Sequence, residues 1–391
     1  MESTSPDGVI AWSSMRRHQW KKMTGIAVLL AVVGACGDNA DGVVAAASDE
    51  AQRQLAQCPN PLVIQTDWSP EPEHGAVYNL VDEGGRFDPE TGRFTGPLAA
   101  EPSLTIEIRA GGPFNGDRST LDVMAADDDI FLGFVNTDEA IAGYIDHPST
   151  AVVAPLDINP QMIMWDPGTY DIESWDDVKA TGAVLNHFAG AAYPDYLLAT
   201  GLVTSDQLEG GYNGSPDRFI ASDGAILQQG FATQEPYLYE NAFAEWGRPV
   251  DYLLIHDTGL ELYQGALTIL DERLDQTARW CLSAFVPIVQ QSIVDFQQDP
   301  TATNDVVLDA SDTLDEPSTL SDEGAREAVI QMGALGIVSN GGNTTVGDFD
   351  LDRIDEVIAR MREAIPGRSG PLGLSADELV TNEFIDEHIG L

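Results

Sequence analysis

Positive charge is nearly missing from most of this sequence. The 391 residues carry 19 Lys and Arg against 64 Asp and Glu, which gives a formal net charge of −45. After residues 1–35, which hold two acids and four bases, 62 acidic residues remain against 15 basic ones, and Lys179 is the one lysine left. A folded surface with a net charge of −47 repels phosphate backbones, so nucleic acid is excluded as a partner.

Catalytic signatures are also missing. The sequence contains no G-x-S-x-G, H-E-x-x-H or Walker A pattern. Its six histidines are scattered, and no run of Cys, His and Asp has the spacing of metal ligands. These absences argue against an enzyme, and the sequence predicts neither a metal site nor a cofactor.

The N-terminal region lacks the ~20 apolar residues that a membrane-spanning helix needs. Four basic residues within positions 16–22 precede a short apolar segment, residues 25–33, which is the pattern of a secretory signal peptide. The following "VVGAC" resembles the lipobox of bacterial lipoproteins, in which Cys36 would take a lipid anchor. The alternative is a signal peptide cut elsewhere, with Cys36 lost or idle. We therefore predict a lipoprotein signal peptide over residues 1–35 and a flexible acidic tether over residues 36–59.

Few cysteines remain to stabilise the folded part. With Cys36 lipidated, Cys58 and Cys281 are left in an exported and therefore oxidising setting. They form either one disulfide or two free thiols, because sequence separation says nothing about their distance in space.

Short apolar runs alternate with helical patterns, which predicts an α/β fold. The expected strands are "LVIQT", "LTIEIRA", "DIFLGFV" and "TAVVAPLDI", and helices are expected at "TDEAIAGYI" and "SWDDVKATG". From Gly259 onward the chain is predicted to be mainly helical, most clearly at "DRIDEVIARMREAI" and "SADELVTNEFIDEHI". The acidic stretch "DASDTLDEPSTLSDEG" is predicted to be a loop.

Large polar and aromatic residues follow the first strand, in "LVIQTDWSPEPEHGAVYNLV". Asp67 and Trp68 end this strand, at the edge of an α/β sheet where ligands bind. A helix from about Pro72 to Val81 would place His74 and Tyr78 on one face. We therefore predict that Asp67, Trp68, His74 and Tyr78 converge on one ligand site, with Trp68 as a stacking surface. The alternative is that Trp68 caps the core and that His74 is a solvated helix residue.

A family resemblance covers roughly residues 60–391. The "DWSPEPEHGAVY" segment resembles the opening motif of periplasmic substrate-binding proteins of ABC transporters, of the NitT/TauT and thiamine-pyrimidine-precursor-binding type. Similar segments follow in order, among them "IRAGG", "NHFAGA" and "TQEPYLYE". The resemblance implies a type II periplasmic-binding-protein fold with two α/β lobes and a ligand cleft between them.

The resemblance also implies a division of the chain. Residues 60–155 and 258–391 would form the first lobe, the latter part mainly helical, and residues 156–257 would form the second lobe. Closure of the two lobes about their crossing segments would then trap one small molecule.

Further ligand-binding residues follow from these motifs. The backbone of "NHFAG" would face the cleft at the start of a helix, unless it is a plain Gly-rich turn. In "TQEP", Glu235 resembles the acid that bonds a ligand N–H, unless it only offsets a helix dipole. Asp157 lies at the expected crossing to the second lobe and is as well explained as a hinge residue. To the four ligand-binding candidates after the first strand, the resemblance adds Phe114, Asp128, Asp157, Asn186, His187, Phe188, Gly190, Gln234 and Glu235.

The expected ligand is small, nitrogen-containing and pyrimidine-like, because the predicted pocket offers acids and aromatics but no assured Arg or Lys. The expected partners are this ligand, ABC permease subunits and the membrane. The protein is expected to be a monomer on the extracytoplasmic face of that membrane. The alternatives are an enzyme of pyrimidine or thiamine-precursor metabolism on the same fold, and a surface adhesion or scaffolding lipoprotein.

Overall fold

A computed structural model describes residues 48–116, 118–314 and 320–391. The predicted signal peptide and Cys36 lie outside these residues. Residues Val44–Leu391 form one compact unit. Nowhere in the described part does a helix combine the length and the apolar character needed to cross a bilayer.

The strands belong to two separate sheets. One has the order β2-β3-β4-β1-β5-β12-β6 and the other has the order β11-β7-β10-β8-β9. The strands are β1 (Leu62–Gln65), β2 (Arg86–Asp88), β3 (Arg93–Leu98), β4 (Glu101–Arg109), β5 (Ile130–Val135), β6 (Ser149–Val153), β7 (Gln161–Trp165), β8 (Leu185–Asn186), β9 (Leu208–Glu209), β10 (Leu227–Phe231), β11 (Asp251–Leu254) and β12 (Ala266–Leu270).

Helices pack around and between the strands. They are α1 (Asp49–Leu55), α2 (Gly75–Tyr78), α3 (Thr120–Ala126), α4 (Thr137–Gly143), α5 (Trp175–Thr181), α6 (Tyr193–Ala199), α7 (Asp217–Ala221), α8 (Glu235–Asn241), α9 (Gln276–Gln298), α10 (Thr301–Leu314), α11 (Asp322–Ala334), α12 (Leu351–Ala364) and α13 (Ala376–Leu379). The chain passes from the first sheet to the second after β6 and returns before β12.

Continuous apolar runs become the central strands of the first sheet. β1 lies between β4 and β5, parallel to both, and every residue of β1 and β5 is buried. The four strands expected from the sequence are thereby confirmed, although the last ends at Val153. In the second sheet β8 runs parallel to β9 and β10, while β7 is antiparallel to β10 and β11.

The C-terminal third departs from the sequence prediction in two places. α12 is confirmed, with buried Ile354, Val357, Ile358 and Met361 on one face. The long helix expected at "SADELVTNEFIDEHI" is wrong, since α13 ends at Leu379 and Val380 bridges to β6 instead. The acidic loop is also wrong at both ends, because residues 309–314 belong to α10 and residues 322–324 belong to α11.

The segment before the first strand is not the flexible tether that its composition suggests. Ser48 Oγ accepts a hydrogen bond from Ala51 N at 3.2 Å and starts α1. This helix packs on α9 and buries Leu55. Cys58 and Cys281 are joined by a disulfide with a Cα–Cα distance of 4.8 Å. The tether prediction is therefore wrong for residues 49–58, where burial and a cross-link hold the chain.

We expect the Cys58–Cys281 disulfide to stabilise the unit Val44–Leu391, in which these are the two cysteines. Cross-linking residues 223 apart restricts the unfolded chain, which is worth roughly 5 kcal/mol in the chain-entropy model. Urea unfolding of the double variant Cys58→Ser/Cys281→Ser should show a loss of several kcal/mol. Two titratable thiols in denatured, unreduced protein would contradict the expectation.

Candidate functional site

A cavity of about 720 Å³ lies between the two sheets. Its walls come from the segments that follow β1, β5, β8 and β10, and so from the C-terminal ends of strands in both sheets. This is the edge at which open α/β sheets bind ligands. Among the residues predicted from the sequence, those that line the cavity are Asp67, Trp68, Phe188, Gly190, Gln234 and Glu235.

Trp68 is held at the end of β1 by its own backbone. Its carbonyl accepts hydrogen bonds from Thr66 Oγ1 at 2.8 Å and from Gly111 N at 2.9 Å. Gly111 is required for this approach, because a Cβ there would lie 2.4 Å from Thr66 O. The indole is thus presented to the cavity from a fixed turn.

Phe188 meets Trp68 from the other sheet. The two ring centroids are 6.2 Å apart and the planes are at 85°, an edge-to-face contact. Trp68 follows β1 of the first sheet, whereas Phe188 follows β8 of the second. An aromatic pair therefore spans the cavity.

His74 and Tyr78 do not line the cavity, and their ligand contact stays a prediction. A 3₁₀ turn, Pro72–His74, runs into α2, which ends at Tyr78 and turns both side chains inward. His74 Nε2 lies 2.8 Å from Asp67 Oδ1 and orients that carboxylate. Tyr78 is 2% exposed and packs on Phe94 in the core.

Two residues predicted from first-sheet loops are also displaced from the cavity. Phe114 covers Gly92, where an added Cβ would lie 2.8 Å from its ring. Asp128 is fully exposed and pairs with Arg273 at 3.1 Å. Local packing occupies Phe114 and a surface ion pair occupies Asp128, and their ligand contacts stay predictions.

Asn186 and His187 serve the second sheet itself. Asn186 is buried, donates to Gln228 Oε1 at 3.1 Å and accepts from Arg218 Nη1 at 2.8 Å. His187 Nδ1 lies 3.0 Å from the carbonyl of Phe188. Neither lines the cavity, because the chain turns toward the cavity only at Phe188.

Asp157 lies on the first crossing between the sheets and does not line the cavity. Its carboxylate pairs with Arg353 Nη1 at 2.9 Å. The same guanidinium donates to the carbonyls of Glu261 at 2.7 Å and Leu262 at 3.0 Å, on the return crossing, and stacks on Tyr263 at 3.9 Å. Arg353 thus binds both crossing segments together, and Asp157 is part of this junction.

Glu235 is half-buried at the start of α8. Its Oε2 accepts from Phe231 N at 2.8 Å, and its Oε1 accepts from the hydroxyl of Tyr212 at 3.5 Å. Burial raises the pKa of Glu235 to about 7. The carboxyl group can therefore switch between proton donor and anion near neutral pH.

Sequence reasoning did not identify Glu71 as a candidate site residue. Glu71 lines the cavity, and its pKa lies well above the ordinary value because of burial and the nearby charges of Glu73, Asp67 and Glu235. Glu139 was missed as well; it accepts from Leu121 N at 3.1 Å, and burial raises its pKa to about 8. Glu71 directly precedes the 3₁₀ turn and Glu139 lies in the first turn of α4, where acids are common, so nothing in their local sequence signals a cavity.

Arginines at the cavity were not expected either. Arg118 and Arg368 line it, against the prediction of a pocket without cations. Arg118 Nη2 donates to the carbonyl of Asp122 at 2.6 Å, and Arg368 Nη1 donates to the carbonyl of Gly190 at 2.7 Å. Each guanidinium thus makes a hydrogen bond to the wall and keeps its charge, and Arg368 also pairs with Asp195 at 3.4 Å. Within the described ranges no cluster of three Asp, Glu, His or Cys has the arrangement of a metal site.

Sequence comparison and structural comparison give different results. No protein-family model matches the chain, and neither does any curated protein. A ligand-binding component of an ABC-type import system from Staphylococcus aureus, solved with zinc bound, matches with a TM-score of 0.51 and 15% identity over 83% of this chain and 98% of that one. An ABC transporter from Parabacteroides distasonis matches with a TM-score of 0.50 and 10% identity, over 84% of this chain and 100% of that one. A Bordetella bronchiseptica protein matches with a TM-score of 0.53 and 12% identity, over 83% of this chain and 96% of that one.

The fold is that of a periplasmic binding protein. The α/β fold class predicted from the sequence is thereby confirmed. At these low identities the similarity shows the fold alone, and the cavity of a periplasmic-binding-protein fold has to be interpreted from its own residues.

We expect Glu235→Gln to stabilise the ligand-free protein at alkaline pH. Folding raises the pKa of Glu235 from 4.5 to about 7, so the folded chain keeps a proton that the unfolded chain loses as the pH rises through this window. The resulting penalty is absent below about pH 4.5 and complete above about pH 7. One pKa unit is worth ~1.4 kcal/mol and the side chain is partly open, so the variant should gain roughly 1 to 2 kcal/mol at high pH.

Urea unfolding across this pH range measures the effect. Glu83→Gln, the same change at an exposed position, serves as the matched control and should follow the wild type. A constant stability difference at all pH values would contradict the expectation.

Proposed function

We propose that this protein is the extracytoplasmic solute-binding component of an ABC importer, which captures one small molecule and delivers it to permease subunits. The observation that carries the proposal is the cavity between the sheets, across which Trp68 of one sheet meets Phe188 of the other. The periplasmic-binding-protein fold supports this role. We propose that the protein is a monomer and that it binds its ligand without catalysing a reaction.

The cavity chemistry favours a small, nitrogen-containing and pyrimidine-like ligand. The indole of Trp68 offers a flat surface to a planar ring. Asp67 and Glu235 present carboxylate oxygens from opposite sheets, which can accept hydrogen bonds from ring or amino N–H groups. A ligand of this kind could donate its N–H groups to the two carboxylates and stack its ring on Trp68 in one pose.

The proposed working motion is closure of two lobes around the ligand. Residues 60–155 and 258–391 would form one lobe and residues 156–257 the other. This division is supported by the change of sheet between β6 and β7 and between β11 and β12. The two crossings meet at Arg353, which makes this junction the proposed hinge.

We expect Trp68→Ala to weaken ligand binding by roughly tenfold or more. A stacked aromatic contributes ~0.5–1.5 kcal/mol beyond its buried area, and ~1.4 kcal/mol is one decade of affinity. The ligand would first be identified by native mass spectrometry of protein purified without denaturation, then titrated by calorimetry. X-ray scattering of the same samples should show a smaller radius of gyration with ligand.

The matched control is Trp280→Ala, because Trp280 is 53% exposed on α9 and does not line the cavity. It should bind like the wild type. An unchanged dissociation constant for Trp68→Ala would return Trp68 to a purely structural role. An unchanged radius of gyration would count against lobe closure.

We also propose that Cys36 is lipidated and holds the protein at the extracytoplasmic face of the membrane. The support is the basic segment, the short apolar run and "VVGAC" in the sequence. Cys36→Ser should stall processing or release the protein from the membrane fraction, because the lipid would have no attachment site. Fractionation with labelled fatty acid measures this, and a variant that stays labelled and membrane-bound would refute the anchor.

A further inference from the structure

Carboxylates dominate the wall of the cavity. Seven acidic residues line it, against Arg118 and Arg368, each of which donates to a backbone carbonyl of the wall, and His147, which lies 3.3 Å from Asp122. The acids come from segments that follow strands of both sheets. They are Asp67, Glu71, Asp122, Asp138, Glu139, Asp146 and Glu235.

Three of these acids have no positive partner in the protein. Within residues 48–116, 118–314 and 320–391, no Arg, Lys or His nitrogen lies at ion-pair distance from Glu71, Glu139 or Glu235. Half-buried carboxyl groups without a positive partner either keep a proton or pair with a cation. A cation that enters the cavity would supply the partner that the protein does not.

An aromatic pair adjoins this negative charge. Trp68 and Phe188 meet across the same cavity, and aromatic faces attract cations through their ring quadrupole. Acids and aromatic faces together suit an ammonium group attached to an apolar or planar body. An anionic ligand such as a sulfonate or phosphate would meet the same carboxylates as like charges.

We propose, resting on the solute-binding role, that the ligand is an organic cation whose charged nitrogen lies between Glu71 and Glu235 and whose apolar body contacts Trp68 and Phe188. Glu71 follows the first strand of one sheet and Glu235 follows β10 of the other. The ligand charge thus joins the two sheets by pairing with a carboxylate from each. Binding selects against neutral and anionic molecules of the same shape.

The protonation behaviour of the acids supports this proposal. Burial and mutual repulsion raise the pKa of Glu71, and burial raises those of Glu235 and Glu139 to about 7 and about 8. A cation favours the ionised forms, so its binding should release protons and strengthen as the pH rises. The charged and titratable groups around Glu71 and Glu235 are Asp67, Glu73, Tyr78, Tyr212 and Tyr239.

Three ring-matched probes test the charge preference on the full chain. Tryptamine, tryptophol and indole-3-acetate carry a cation, a neutral hydroxyl and an anion on one indole frame. At about pH 8, where an amine of ordinary pKa is still charged, tryptamine should bind roughly tenfold more tightly than tryptophol, and indole-3-acetate should bind least. Thermal-shift titration gives the dissociation constants.

Variants assign the preference to the two carboxylates. Glu71→Gln and Glu235→Gln should each reduce the preference for tryptamine over tryptophol to within about threefold, because each keeps shape but removes charge. Glu83→Gln, an exposed position, should keep the wild-type preference. A preference that survives in both cavity variants would overturn the assignment.

The outcomes separate this inference from the proposed function. Equal or tighter binding of tryptophol or indole-3-acetate overturns the cation preference. If no probe binds, the charge of the molecule retained in native mass spectrometry decides whether the ligand is a cation. A retained cation with weaker binding to Glu71→Gln supports the inference, and a retained neutral or anionic molecule overturns it while leaving the solute-binding role. No retained molecule and no stabilising probe would overturn both.

Discussion

A single buried carboxylate, that of Glu73, connects the two sheets beside the cavity. It is 4% exposed and accepts hydrogen bonds from the Thr233 hydroxyl and from Gln234 Nε2, the latter at 2.6 Å. Glu73 belongs to the turn after β1, while Thr233 and Gln234 follow β10. Helix α11 packs against both segments and covers the junction. Because Trp68 and Glu235 lie within a few residues of this junction, its geometry sets the distance between the two halves of the site.

The same junction explains why negative charge accumulates at the cavity. Glu71 and Glu73 lie on one short segment, and their partners in the second sheet place Glu235 nearby. Burial, together with repulsion among these carboxylates, raises the pKa of Glu71 and opposes folding with all of these groups charged. The protein could lower this cost with a single well-placed arginine, as it does for Asp157 with Arg353. That the cavity leaves Glu71 and Glu235 without such a partner is better explained by a ligand than by stability.

Much of the fold follows from local sequence, and part of the site follows from topology. Fully buried strands such as β1 and β5 are continuous apolar runs, so their pattern predicts them directly. Asp67 and Trp68 could be placed at the site because strand ends in α/β sheets are where ligands bind. His74 and Tyr78 lie outside the cavity wall because packing of α2 against α9 turns their shared helical face into the core. Tertiary contacts likewise replaced the predicted C-terminal helix after Leu379.

The charge of the cavity could not have been predicted from any one segment. Asp67, Glu71, Glu139 and Glu235 come from three separated parts of the chain, and each occurs beside a strand end or in a first helical turn, where acids are common for local reasons. In a chain with 64 acidic residues, these four carry no signal by themselves. Their role becomes visible when folding places them around one cavity. There the effective dielectric is lower than in water, and the charges near Glu71 add to burial in raising its pKa. Specificity in this fold is therefore a property of the assembled cavity, and the charge of the bound molecule is the quantity that the cavity constrains most.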